Sequence, residues 1–343
     1  MQEYFKATFE DSRESFLDLA ATSGGELRSH KVSDLSFESL YLPPASGKKD
    51  KLLILTSGIH GIEGFTGSAL QRYFLANNCL GLKDENMGVL IIHGINPYGF
   101  KNFRRVTENN VDLNRNFDIS DELFKTENPG YTNLYDFLNP RSRYTRLSFY
   151  TSAFFFILKY GMSSLRKAIL SGQYQYPDGI FFGGKSFEPQ VSLIQNEVLR
   201  VGVGYEKVFL ADLHTGYGER GKLHLFGDRC AFIDQKYMNE VFREMNVDYG
   251  QEKDFYSVTG GFTVFMAKLF HKKARFAGVV FEFGTIDSQK ALGSLDSLYR
   301  MVNEDEALFL EMFYPKSSEW RTKVLEQFQT SLEKSVKNWT SLQ

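Results

Sequence analysis

Ile54-Leu55-Thr56-Ser57-Gly58-Ile59-His60-Gly61-Ile62-Glu63-Gly64 is the stretch on which the reading of the fold turns. The apolar run Leu52–Leu55 leads into it and is short and β-competent, while Ser68–Leu75 behind it reads as helix. A strand that breaks at Ser57-Gly58 and passes into a helix sets His60 and Glu63 at the strand's carboxyl end. Open α/β sheets gather ligands and chemistry at that edge. An imidazole and a carboxylate are also good ligands for a divalent cation such as zinc. By itself the pair is weak, because six histidines and 42 acidic residues in 343 positions supply roughly 0.7 His-x-x-acid pairs by accident.

Working outward, strand signals recur at 51–56, 88–93, 207–211, 222–226 and 278–283, with extended segments at 26–32 and 38–42. Helical stretches are expected near 11–21, 64–77, 189–203 and 236–244. This alternation predicts a single-domain, layered α/β fold. Residues 118–177 differ, being rich in Asn, Tyr, Pro and Arg, and read as an insertion wrapping one edge of the sheet. Within it the aromatic run Phe149–Leu158 is too short to span a bilayer and is expected to be a buried helix or a pocket wall. A tail over 288–343 reads as two closing helices, and no linker divides residues 1–343.

Composition narrows the classes further. The net charge is −2 with both signs interspersed, so no electrostatic footprint for nucleic acid or an anionic membrane stands out. Aromatic residues make up 15 % of the chain, which suits large buried faces. The start Met1–Lys6 lacks the pattern of a secretory signal, and Cys79 and Cys230 are too few for a disulfide framework. The expectation is a cytoplasmic protein with two free thiols in its core, no membrane partner and an oligomeric state the sequence leaves open.

Three further segments bear on the first pair. In Val208–Gly218 another apolar strand delivers His214 into a glycine-containing turn, with Asp212 two residues before it. Two histidines and a carboxylate at one sheet edge make a ligand set of catalytic zinc. Asp212 reads either as the partner that orients an imidazole or as a strand-end turn acid. Asn96-Pro97-Tyr98-Gly99-Phe100 leads into Arg104-Arg105 and Val111-Asp112-Leu113-Asn114-Arg115-Asn116-Phe117, a polar loop whose arginines suit carboxylate recognition or oxyanion stabilisation. In Ala277–Thr285 a glutamate, Glu282, interrupts a continuous apolar strand. A carboxylate there needs a compensating cation, water or proton, unless the strand end reaches solvent.

Taken together, these residues resemble the zinc carboxypeptidases, or funnelins, with the related aspartoacylase and succinylglutamate desuccinylase branch. The resemblance is carried by His60-Gly61-Ile62-Glu63, Asn96-Pro97-x-Gly99, Asp112-Leu113-Asn114-Arg115-Asn116, His214, Glu282, and Tyr256 ahead of Gly260-Gly261. It implies a three-layer α/β/α sandwich with a mixed, mostly parallel twisted sheet, in which His60, Glu63 and His214 bind one zinc ion and Glu282 is general base toward the attacking water. Arg105 would stabilise the oxyanion, with Arg104 as its rival. Asn114 and Arg115 would clamp a substrate carboxylate, and Tyr256 would close over the substrate.

The implied activity is hydrolysis of an amide bond next to a free carboxylate, releasing a C-terminal amino acid from a small peptide. The alternatives are a deacylase of N-acyl amino acids and, in another class, a silent carboxylate-binding protein. Arg105 stands only nine positions before Asn114, a spacing closer to the acyl-amino-acid branch. Asp212-Leu213-His214-Thr215-Gly216 and the segment from Ser171-Gly172-Gln173-Tyr174 to Phe181-Phe182-Gly183-Gly184 look most like an uncharacterised bacterial branch. Thr263, just past the Gly-Gly turn, is either a pocket residue or a strand threonine facing solvent, and His93 reads as structural.

Overall fold

The computed structural model describes residues 1–77, 86–249, 259–286, 290–303 and 306–342. Its eight strands are β1 (Glu26–Val32), β2 (Leu35–Leu42), β3 (Lys51–Ser57), β4 (Met87–His93), β5 (Lys207–Thr215), β6 (Leu223–Phe226), β7 (Val247–Asp248) and β8 (Arg275–Phe283). They form one mixed sheet in the order β1-β2-β4-β3-β5-β8-β6-β7. The centre, β4-β3-β5-β8, is parallel throughout, and antiparallel pairing begins at β2 on one side and β6 on the other.

All seven residues of β3 and of β4 are buried, which requires cover on both faces of the sheet. Neighbouring residues of β3 face opposite ways, and the helices follow that alternation. Gly67 of the helix Gly64–Asn77 lies against Ser57, whereas Gly202, which ends the helix Pro189–Gly202, lies against Leu52 and against Phe270 of the helix Phe262–Phe270. The result is the expected three-layer α/β/α arrangement.

β4 pairs on one side of β3 and β5 on the other, so successive connections leave β3 in opposite directions. In open α/β sheets such a reversal marks the carboxyl ends of the central strands as the place where ligands bind. The segments carrying His60, Glu63, His214 and Glu282 all emerge there.

Several expectations require correction. Phe149–Leu158 is helical, within Arg146–Tyr160, but only Phe149 and Ala153 of that helix are buried, while Leu147, Phe154, Phe155 and Leu158 stand exposed. The inner side chains belong to a separate small core with Tyr131, Leu134, Phe137, Leu165 and Leu298, so the insertion packs on the helix Lys290–Asn303. The tail has three helical pieces among the described residues, Lys290–Asn303, Glu306–Phe313 and Ser318–Thr340. Thr263 is buried in a helix and is not a strand residue. Cys230 is half-buried rather than a core thiol, and Cys79 lies outside the described residues.

Candidate metal centre

The loop after β3 is held by backbone contacts that only small residues allow. Gly61 N–H and Ile62 N–H donate to the carbonyls of Arg105 and Arg104 at 3.1 and 2.9 Å. A Cβ on Gly61 would lie 2.2 Å from the Gly99 backbone, so both glycines are needed for this approach. Asn96 caps the helix Pro97–Lys101 by accepting from Gly99 N–H at 2.9 Å. The Asn96-Pro97-x-Gly99 motif therefore shapes the seat on which His60-Gly61-Ile62-Glu63 rests.

Each imidazole stands between two carboxylates. His60 Nδ1 is 2.8 Å from Glu63 Oε1, and its Nε2 is 3.1 Å from Asp112 Oδ1. His214 Nδ1 is 2.8 Å from Glu63 Oε2, and its Nε2 is 2.7 Å from Asp212 Oδ2. The ligand atoms of His60, Glu63 and His214 lie within 4.8 Å of one another, and all three residues are buried. With both Nε2 atoms engaged by aspartates, each ring directs Nδ1 to the shared centre, an arrangement that orients histidines on a metal. The donor set, two imidazoles and a carboxylate, fits zinc.

Electrostatics follow from this clustering. Burial opposes charge on Glu63, but His60 and His214 hold its carboxyl well below the usual range. Burial likewise works against a charged His214, yet Asp212 and Glu63 raise it well above an ordinary histidine. Asp112 is held low despite its burial, chiefly by Arg105. A divalent cation would satisfy the same carboxylates that the two imidazoles face.

Glu282 of β8 sits in register with His214 of β5, and paired residues of adjacent strands share a face. Its Oε1 accepts from Tyr217 N–H at 2.9 Å. Burial, then the negative charge of Glu63, pushes its pKa up to about 8. The Arg105 guanidinium is bound to Asp112 Oδ2 at 3.1 Å and approaches Glu63 Oε1 at 3.5 Å. Arg104 is exposed and contributes its carbonyl to Ile62.

Asn114 Oδ1 accepts from Phe262 N–H at 3.0 Å, and Arg115 Nη1 donates to the Asn114 carbonyl at 2.9 Å. Arg115 is buried, and its Nε has no hydrogen-bond partner among the described residues. Gly172 lies against its side chain and Gly260 against its carbonyl, so the Gly260-Gly261 turn and the end of the insertion together fix Arg115. Tyr256 lies outside the described residues.

The residue whose role sequence reasoning missed is Asp112. It appeared only as part of a motif, and its pairing with His60 joins segments 52 residues apart. A motif read along the chain carries no signal for that contact. Thr56, which donates to Asp212 Oδ1 at 2.6 Å, was missed for the same reason.

Comparison with known proteins agrees with this architecture. The family described as "Protein of unknown function (DUF2817)" matches residues 5–327. No protein with a curated description matches the sequence. Among solved structures, carboxypeptidase A from Helicoverpa armigera aligns over 98 % of this chain and 75 % of its own, at 14 % identity and a TM-score of 0.54. A metallo-carboxypeptidase from Pseudomonas aeruginosa aligns over 97 % and 71 %, at 13 % identity and a TM-score of 0.45. The fold is that of the zinc carboxypeptidases.

Proposed function

This chain belongs to that family of unknown function, and we propose that it is a zinc-dependent amide hydrolase acting beside a free carboxylate, releasing a C-terminal amino acid from a small peptide. One observation carries the reading. Two histidines, each backed by an aspartate, converge on Glu63, with Glu282 in register beside one of them.

His60, Glu63 and His214 would hold the ion, which supplies Lewis acidity toward the scissile carbonyl and the attacking water. Glu282 takes the proton from that water and passes it to the leaving amine. The Arg105 guanidinium, close to Glu63, faces the charge that develops on the carbonyl oxygen. Arg115 and Asn114 receive the substrate carboxylate, and the unpartnered Arg115 Nε is a donor that such a group would satisfy. The family resemblance alone assigns Tyr256 to the bound substrate.

Deacylation of N-acyl amino acids is the second reading, favoured by the nine-residue spacing between Arg105 and Asn114. The two are separated by rates on short peptides and on N-acyl amino acids, with and without chelator. Glu282→Gln is expected to keep the metal by elemental analysis while losing turnover by orders of magnitude. Undiminished turnover in that variant would overturn the mechanism. Zinc-free protein that binds carboxylates without turnover would favour the silent binding protein.

A further inference from the structure

The insertion presents a surface that the amide-hydrolase reading leaves unexplained. On the helix Arg146–Tyr160, the side chains at 147, 151, 154, 155 and 158 follow one face. Four of them are large and apolar, Leu147, Phe154, Phe155 and Leu158, with exposures of 76, 60, 75 and 68 %. The opposite face is anchored by Phe149 and Ala153 in the small core of the insertion, so the stripe cannot turn inward. Isolated exposed leucines are ordinary, but adjacent phenylalanines in a continuous stripe call for a partner.

The interspersed charge of the whole chain, which led to the expectation of no membrane partner, hides a local basic excess between Asp136 and Asp178 that suits an anionic one. Residues 137–177 contain six basic residues, Arg141, Arg143, Arg146, Lys159, Arg166 and Lys167, and no Asp or Glu, in a chain whose net charge is −2. Three precede or open the helix, one closes it, and two are on the next helix, Met162–Leu170. The Arg146 guanidinium lies 3.6 Å from Asp296, which also pairs with Arg300 at 2.8 Å. An aromatic stripe flanked by cations at both ends has the chemistry of a helix lying in a membrane interface, rings among acyl chains and cations among anionic headgroups. Among the described residues no helix is long and apolar enough to cross a membrane, so this one would lie along it. A second copy of the chain fits less well, because pairing the stripes brings together two segments of like charge.

We propose that the exposed face of Arg146–Tyr160 docks on an anionic lipid surface. The helix Met162–Leu170 that follows leads to Gly172, against the Arg115 side chain, so one short helix joins the docking face to that arginine along the chain.

The test is co-sedimentation of the full chain with phosphatidylcholine vesicles, with or without an equal part of phosphatidylglycerol, alongside light scattering for oligomeric state. Binding is expected only with phosphatidylglycerol, and it weakens with salt. Neutralising Arg141, Lys159 and Arg166 to Gln lowers partitioning roughly a hundredfold. Phe154→Ser/Phe155→Ser lowers it by about tenfold or more, and both side chains are exposed enough to change without loss of the fold. Equal binding to both vesicles, no binding to either, or a dimer that the Phe154/Phe155 variant converts to monomer would each overturn the proposal. None of these readouts depends on turnover.

Discussion

His214 Nε2 lies 2.7 Å from Asp212 Oδ2, two residues back on the same strand, and Asp212 Oδ1 accepts from Thr56 of the neighbouring strand at 2.6 Å. The two-residue period of a strand puts both side chains on one face, so β5 supplies a candidate ligand together with the group that would orient it. Asp212→Asn keeps the shape and removes the charge. Zinc affinity, measured by competition with a chromophoric chelator, is expected to fall roughly ten- to a hundredfold. Unchanged affinity would mean that Asp212 is only a turn acid.

The protonation of Glu282 should report on metal binding. In metal-free protein, burial and then the charge of Glu63 raise its pKa to about 8, so at pH 7 it holds a proton and cannot act as a base. A cation bound by Glu63 offsets the second cause and leaves the first. Carbon-13 NMR of the Glu282 carboxyl, assigned with Glu282→Gln, should show a titration near 8 in chelated protein and a lower one after zinc is added. Identical titrations would separate the base from the metal centre.

Gly260 has φ of +69°, and a Cβ there would lie 2.2 Å from the Arg115 carbonyl oxygen. Gly260→Ala is therefore strained by its backbone conformation and by a contact with main chain, at a cost of about 1–3 kcal/mol. Displacement of Arg115 should raise KM for carboxylated substrates more than it lowers kcat. Zinc content is expected to stay at the wild-type level, since no metal ligand moves directly.

His93 is buried, stacked on Phe16 at a 4.3 Å centroid distance and 2.9 Å from Ser68 Oγ through Nε2. Burial, reinforced by Arg72 and Arg13, depresses its pKa to about 3 from 6.5. The unfolded chain therefore binds a proton that the folded chain refuses. Its contribution to stability is complete above 6.5 and is lost as pH falls toward 3. The slope approaches about 1.4 kcal/mol per pH unit in that window. Urea unfolding of His93→Phe should show a shallower acid dependence than wild type, and parallel curves would count against this origin.

Much of the centre could be read along the chain because its parts are local. His60 and Glu63 follow one strand, Asp212 and His214 share another, and Glu282 is conspicuous as a charge in an apolar run. The pairing of Asp112 with His60 and the register of Glu282 with His214 were not legible, since each joins segments that meet only when the sheet forms. The insertion was misread for the opposite reason. A run as apolar as Phe149–Leu158 looks buried on every side, and hydrophobicity alone does not say which faces find a partner.

By itself the sequence determined the strand and helix periods, the carriers of the candidate ligands and the order in which they arrive. These depend on backbone propensity and on chemistry carried by single residues. Tertiary structure decided which carboxylate backs each imidazole, that Arg105 approaches Glu63, and that Leu147, Phe154, Phe155 and Leu158 face outward. Those outcomes depend on distances between segments far apart in the chain, which sheet order and packing set.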